Sequence, residues 1–258
     1  MPPTLSMPLA MTSCVVPPSA PRLVTDDFTM VRFDTGYRYD AGVFDIRGER
    51  EPRELIRDVV AQARAWGRTA VWWHGLTDTS APRGLEDALL AAGAQVADQH
   101  AVFAVELDRA TTPDGLDPAI EVHEPGDDAE VRMLRTVDQD SWEVHRSQPD
   151  DLDIARRHAQ GTDRFETHLL AMVDGRPAGS ATLTTRDDLA VLWGGATAGW
   201  ARGRGVYRAL TRDRLGRAQG AGCRIAIAKA QPQLADVLGD FGFVSCGNER
   251  TLRMTIGA

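Results

Sequence analysis

Lysine is almost missing from this 258-residue chain: Lys229 stands alone among 29 basic residues, and all the others are arginine. The skew reads as GC-rich coding and carries no mechanism. Cysteine is scarce too. Cys14, Cys223 and Cys246 are scattered, which excludes a disulfide framework and any metal-ligand spacing, and suits a reducing cytoplasm. No run of 18 apolar residues exists, so no transmembrane helix is expected and no membrane partner. No basic residue precedes Arg22, so the n-region of a secretory signal is absent. Residues 1–22, with Pro2, Pro3, Pro8, Pro17, Pro18 and Pro21, read instead as a disordered leader, with Met7 or Met11 as alternative starts. Positive charge is in deficit: the formal net charge is −8, which excludes a general affinity for nucleic acid but not a local basic patch.

Apolar residues make up 43% and charged residues 26%, an ordinary globular balance, and the length suits two domains. Strands are expected around Phe28–Val31 and Gly42–Ile46. Pro52 opens a helix whose Leu55, Ile56, Val59, Val60 and Ala63 share one face, ended by Gly67. Thr69–Trp73 reads as a buried strand. Ser80 and Pro82 read as the start of a second helix, which Gly93 stops. Ala101–Leu107 is a strand. Residues 108–119, with Pro113, Gly115 and Pro118, form the linker between a first unit at 23–107 and a second at 120–258. In the second unit Ile120–His123 is a strand. Asp127 or Asp128 caps a helix carrying Val131, Leu134 and Val137. Thr167–Val173 and Ala178–Thr185 form a hairpin about Asp174-Gly175. Leu189–Thr197, the helix from Val206 to Gly220, the strand Cys223–Ala228, the helix Pro232–Phe241 and the strand Thr251–Ile256 follow. Leu85–Leu107 overlies Leu234–Ile256 without a gap, both reading helix, Gly stop, strand. That echo suggests a repeated half-fold, although helix–Gly–strand is common in α/β proteins.

The stretch Thr197-Ala-Gly-Trp-Ala-Arg-Gly-Arg-Gly-Val-Tyr207 carries the most chemistry. A strand ends, two glycines alternate with two arginines, and a helix begins. Such a turn aims backbone N–H groups and the positive end of a helix dipole at one point, which suits a pyrophosphate. Arg202 and Arg204 add charge; Gly203 and Gly205 let the backbone approach an anion closely. The same pattern also suits an exposed basic turn whose glycines serve geometry alone. It is neither a P-loop nor a dinucleotide fingerprint.

The loop resembles that of the GNAT superfamily of acyl-CoA-dependent N-acetyltransferases, whose pattern Arg/Gln-x-x-Gly-x-Gly/Ala here reads Arg202-Gly203-Arg204-Gly205-Val206-Tyr207. The ordered sequel agrees: the strand ending Gly195-Ala196-Thr197, the helix from Val206, the strand from Cys223, and a helix closing in Phe241-Gly242-Phe243. The resemblance spans residues 120–256. It implies an α/β fold with a mixed sheet and a splayed central strand, and an acetyl-CoA site built from Gly195, Ala196, Thr197, Arg202, Gly203, Arg204, Gly205, Val206 and Tyr207.

The chain departs from the family at three positions. Tyr207 replaces a Gly or Ala; its ring either packs or reaches toward the cofactor. Leu238 stands where many members carry the tyrosine that protonates the leaving thiolate. Gln231 replaces a frequent asparagine. An amine nucleophile also needs a proton acceptor. Glu143 and His145, in the loop where the family builds its acceptor site, are the candidates, although both also read as solvated loop residues; Trp142 is placed to pack on an acceptor. His168 opens a strand and either projects into the cleft or serves structure.

The first unit has Arg47-Gly-Glu-Arg-Glu-Pro-Arg53 before its helix, where two glutamates oppose a phosphate. It is expected to be a degenerate GNAT-like half-domain without a cofactor. The whole implies transfer of an acetyl group from acetyl-CoA to a primary amine of a small-molecule or peptide acceptor by direct attack. The alternative is a non-catalytic acyl-CoA-binding or sensory module. Neither a metal nor a nucleic-acid partner is expected, and oligomeric state stays open.

Overall fold

A computed structural model describes residues 16, 20–33, 40–77, 82–113, 115, 117–142 and 166–257. The chain divides into two compact units, one reaching Val102 and taking back the chain from Cys246 onward, the other spanning Phe103–Ser245. The division falls within the strand Gln95–Glu106. The sequence places the last strand with the second unit; its packing places it with the first.

In the first unit β1 (Arg22–Val24), β2 (Thr29–Arg32) and β3 (Ala41–Phe44) form an antiparallel run. β4 (Ala70–Leu76) lies parallel to β3, and β11 (Val244–Thr255) lies antiparallel to β4. Between β3 and β4 comes α1 (Pro52–Ala65), which buries Leu55, Ile56, Val59 and Ala63 on the face that the 3.6-residue period predicts. Glu51 caps it, its carboxylate accepting the N–H of Glu54 at 2.9 Å. α2 (Leu85–Ala91) starts later than Pro82 suggests, because Gly84 takes a left-handed φ of 77° and cannot continue a helix; Ser80 lies outside the described residues. Then comes β5 (Gln95–Glu106). Met30, Leu55, Trp73 and Leu89 share one core with Leu252 and Met254 of β11. β1, within the expected leader's edge, is too short for its pattern to show.

The second unit is a sheet in the order β10-β9-β8-β7-β6, with the end of β5 beyond β10. β6 (Ile120–His123), β7 (Glu166–Val173), β8 (Arg176–Arg186) and β9 (Leu189–Thr197) are antiparallel neighbours; β10 (Ile225–Ala230) is parallel to β9. Asp174 and Gly175 turn the β7–β8 hairpin at φ of 52° and 72°, the left-handed pair of a type I′ turn. α3 (Asp128–Trp142) begins under the Asp127 carboxylate, which accepts the N–H of Ala129 and Glu130 at 2.8 and 2.9 Å. It buries Val131, Leu134 and Val137. α4 (Val206–Gly220) lies on the opposite face. Successive residues of β8 point to opposite faces: a Cβ at Gly179 would meet Val206 of α4, whereas Ser180 bonds Asp138 of α3. The expected helix Pro232–Phe241 is a 3₁₀ turn, Pro232–Leu234, followed by α5 (Ala235–Gly239).

β9 positions the site through two irregularities. Thr182 of β8 pairs with Trp193 and Ser180 with Ala196, so β9 carries one extra residue, and Gly194 absorbs it at φ 51°. Pairing with β10 stops at Leu192–Ala228, although both strands run on. From Trp193 onward β9 has left its parallel neighbour, and the sheet opens there.

Candidate active site

Eight of the nine predicted cofactor residues line one cleft of about 430 Å³: Gly195, Ala196, Thr197, Arg202, Gly203, Gly205, Val206 and Tyr207. One wall is the end of β9. Ala198 donates to the Ala178 carbonyl at 2.9 Å, toward β8. The alternation of an antiparallel strand therefore turns the N–H of Thr197 away from β8, into the opening. The facing wall is the loop before α4. Gly203 and Gly205 hold left-handed φ of 79° and 86°. Nothing lies within 4 Å of the Cβ position at Gly203, and only Ile120 approaches that of Gly205, at 4.0 Å. The loop backbone is thus reachable, and the N–H groups of the first turn of α4 have no intrahelical acceptor.

The ninth residue, Arg204, is turned elsewhere. Its guanidinium pairs with Asp174 at 3.3 Å and lies 5.8 Å from the Trp200 ring, whose centroid is 4.3 Å from the Arg176 guanidinium. Arg208 joins the cleft lining and pairs with Asp240.

Tyr207 packs. A Cβ on Gly195 would stand 2.7 Å from the Tyr207 ring, so the glycine makes room for the tyrosine. Beneath lies Arg214, only 1% exposed. It donates to the carbonyls of Trp193 at 3.1 Å and Leu210 at 3.2 Å, and to the Thr211 hydroxyl at 3.4 Å. Burial pushes its guanidinium below the ordinary arginine range, against the opposing pull of the adjacent Tyr207 and of Asp213. The bond to Trp193 falls one residue beyond the last β9–β10 pair, where β9 leaves β10.

Glu143 and His145 lie outside the described residues, as does the side chain of Trp142. His168 Nδ1 lies 3.1 Å from the Thr182 hydroxyl and its Nε2 3.7 Å from Glu166. Leu238 is fully buried, and Gln231 lines the cleft. Sequence reasoning passed over Ser141, which lines the cleft, and Asp138, whose carboxyl is pushed up to about 6 by burial. A signal existed: both polar residues continue the apolar stripe of α3 at helical spacing. Among the described residues no group of three His, Cys, Asp or Glu is placed to hold a metal, and no helix is long and apolar enough to cross a membrane.

Residues 131–243 match the Acetyltransferase (GNAT) family. Solved structures share the fold. A GCN5-related N-acetyltransferase from Kribbella flavida matches with a TM-score of 0.68 at 15% identity, over 93% of this chain and 91% of that one. A tandem GNAT protein from the clavulanic acid biosynthesis pathway gives 0.62 at 17% identity, over 90% and 79%. A GCN5-related N-acetyltransferase from Sphaerobacter thermophilus gives 0.64 at 14%, over 90% and 77%. No curated protein matches. The fold and the family match define an acyltransferase. That match, over residues 131–243, places a GNAT-type acetyltransferase domain in this chain, and the family generally uses acyl-CoA.

Proposed function

We propose that this protein transfers the acetyl group of acetyl-CoA to a primary amine of a small-molecule or peptide acceptor, by direct attack of the amine on the thioester. The observation that carries this reading is the cleft in which the parted end of β9 faces the glycine loop and the N-terminus of α4. The donor set fits the cofactor. Gly203, Gly205 and the first-turn amides of α4 suit a pyrophosphate, with Arg202 beside them, and the outward N–H of Thr197 at the parted end of β9 suits a strand-like chain of amides. The thioester supplies the electrophilic carbon. The strand-end amides polarise its carbonyl, and the walls hold amine and thioester together. We assign Glu143 and His145 to the acceptor side. The net charge of −8 suits cationic acceptors rather than nucleic acid, and the three scattered cysteines suit a protein that works in the cytoplasm.

We read residues 23–107 as a degenerate GNAT-like half-unit that binds no cofactor. The order of β1–β3, α1, β4, α2 and β5 supports this, as does the Glu51 carboxylate that already caps α1.

A second reading, a non-catalytic acyl-CoA-binding or sensory module, is favoured by Leu238 alone, since its buried side chain can protonate nothing. Thiol release from acetyl-CoA, followed against a panel of polyamines, aminoglycosides and peptide N-termini, separates the two. Turnover with an amine is expected. Calorimetric binding of acetyl-CoA without turnover would support the second reading.

A further inference from the structure

α3 buries Val131, Leu134 and Val137 against the sheet. Further along the same face come Asp138 and Ser141, at i+7 and i+10 from Val131. Ser180 of β8 donates to Asp138 and is its sole hydrogen-bond partner among the described residues. Ser180 is registered opposite Ala196, and Ala196 lines the cleft. Ser141 lines it too, and its hydroxyl is buried without a hydrogen-bond partner among the described residues. A carboxylate on the inner face of a helix costs stability, and such costs gather where chemistry needs them.

Resting on the acetyl-transfer reading above, we propose that Asp138 is the general base that deprotonates the acceptor ammonium, with Ser180 orienting its carboxylate and Ser141 offering a hydroxyl to the incoming nitrogen. The ammonium gives one proton to the Asp138 carboxylate and becomes a free amine. Its nitrogen then bonds to the thioester carbonyl carbon, the C–S bond breaks, and sulfur leaves with the electron pair. The second nitrogen proton ends on the thiol. Asp138 returns its proton to solvent, so one proton is released per amide formed.

Charge around Asp138 suits this role. Burial raises its carboxyl to about 6, more than the Ser180 bond and the attraction of Arg135 lower it. It is therefore ionised at neutral pH yet a stronger base than an exposed aspartate. Besides Arg135 on its own helix, the same face of the sheet presents Glu121 and His123 on β6, Glu166 and His168 on β7 and Arg186 at the end of β8; β9 has no ionisable side chain.

The experiment compares wild type, Asp138→Asn and Asp138→Glu, using acetyl-CoA and the amine that wild type turns over. Asp138→Asn should lower kcat/KM by about 100-fold or more at pH 7.5, leave the KM for acetyl-CoA within about threefold, and remove the acid limb near pH 6. Asp138→Glu should restore part of the rate. Thermal unfolding gives an independent readout. The folded state holds the proton more tightly than the unfolded chain, so wild-type stability is fullest at low pH and falls as pH rises toward and through about 6. Asp138→Asn escapes that loss, and its Tm at pH 7.5 should match wild type or exceed it by about 2–6 °C, a gap that narrows at pH 5. An aspartate kept for structure would do the reverse. Activity within about fivefold of wild type, a retained acid limb, or a Tm several degrees lower overturns the assignment. A wild type that turns over no amine overturns acetyl transfer first, and the base with it.

Discussion

Gly205 sits at φ 86°, one residue before α4, with its Cβ position open toward the cleft. Gly205→Glu would strain the backbone by about 1–3 kcal/mol and set a carboxylate against the amides that are proposed to hold an anion. Acetyl-CoA binding should vanish while the far-ultraviolet circular dichroism stays unchanged. Undiminished affinity in calorimetry would remove the loop assignment. Tyr207 belongs to the opposite class of residue. Its ring fills the space above Gly195 and beside Arg214. Tyr207→Phe should cost less than about tenfold in kcat, roughly 1.4 kcal/mol, whereas a lost general acid costs about 10²–10⁴. A hundredfold loss together with the alkaline limb of the pH profile would instead make Tyr207 the acid. At this scale the loop was legible, because glycine spacing before a helix is itself the geometry. Arg204 was not, since its engagement with Asp174 depends on a hairpin tip some thirty residues upstream. Asp138 was visible only as a polar residue on an apolar stripe, a cue that acquires meaning once the Ser180 strand lies beneath it.

Among the elements, β9 decides the site. Its bulge and its departure from β10 open the sheet, and Arg214 of α4 binds the Trp193 carbonyl at that point. The Gly194-Gly195 pair is a sequence trace of the bulge. The place where pairing with β10 stops has none, because β10 runs on to Ala230 and could have kept bonding. α4 must press close on β8 for this arrangement to hold. A Cβ at Gly179 would lie 2.5 Å from Val206, 2.9 Å from Leu210 and 3.0 Å from the Ala196 carbonyl. Gly179→Ala should therefore cost about 1–3 kcal/mol by overpacking and push α4 away from β8, weakening acetyl-CoA binding as well. Urea unfolding and calorimetry on the same preparation check this. A stability within about 0.5 kcal/mol of wild type would mean that α4 shifts freely and does not set the cleft.

For the whole molecule, the notable fact is the home of β11. Met254 pairs with Val71 and Thr255 with Ala70, and Leu252, Met254 and Ile256 sit in the core of the first unit. The sequence showed that this segment is a strand. It could not show which strand receives it, since alternation specifies a buried face and not a partner. A chain ending at Ser245 should lose the first unit. Each of three large apolar side chains withdrawn from that core is worth about 1.5–3 kcal/mol, a sizeable share of a typical domain's stability. Hydrogen exchange should find the amides of β3 and β4 unprotected in the truncated chain, and full protection there would show that β11 is dispensable. The same placement reverses the usual order of events during synthesis, when N-terminal domains fold first. The first unit emerges early but waits for the last strand to be translated. Until then β4 lacks its β11 neighbour and presents open backbone groups, the kind of template on which other chains aggregate. A stalled ribosome or a cut near the C-terminus would therefore do its damage at the other end of the sequence.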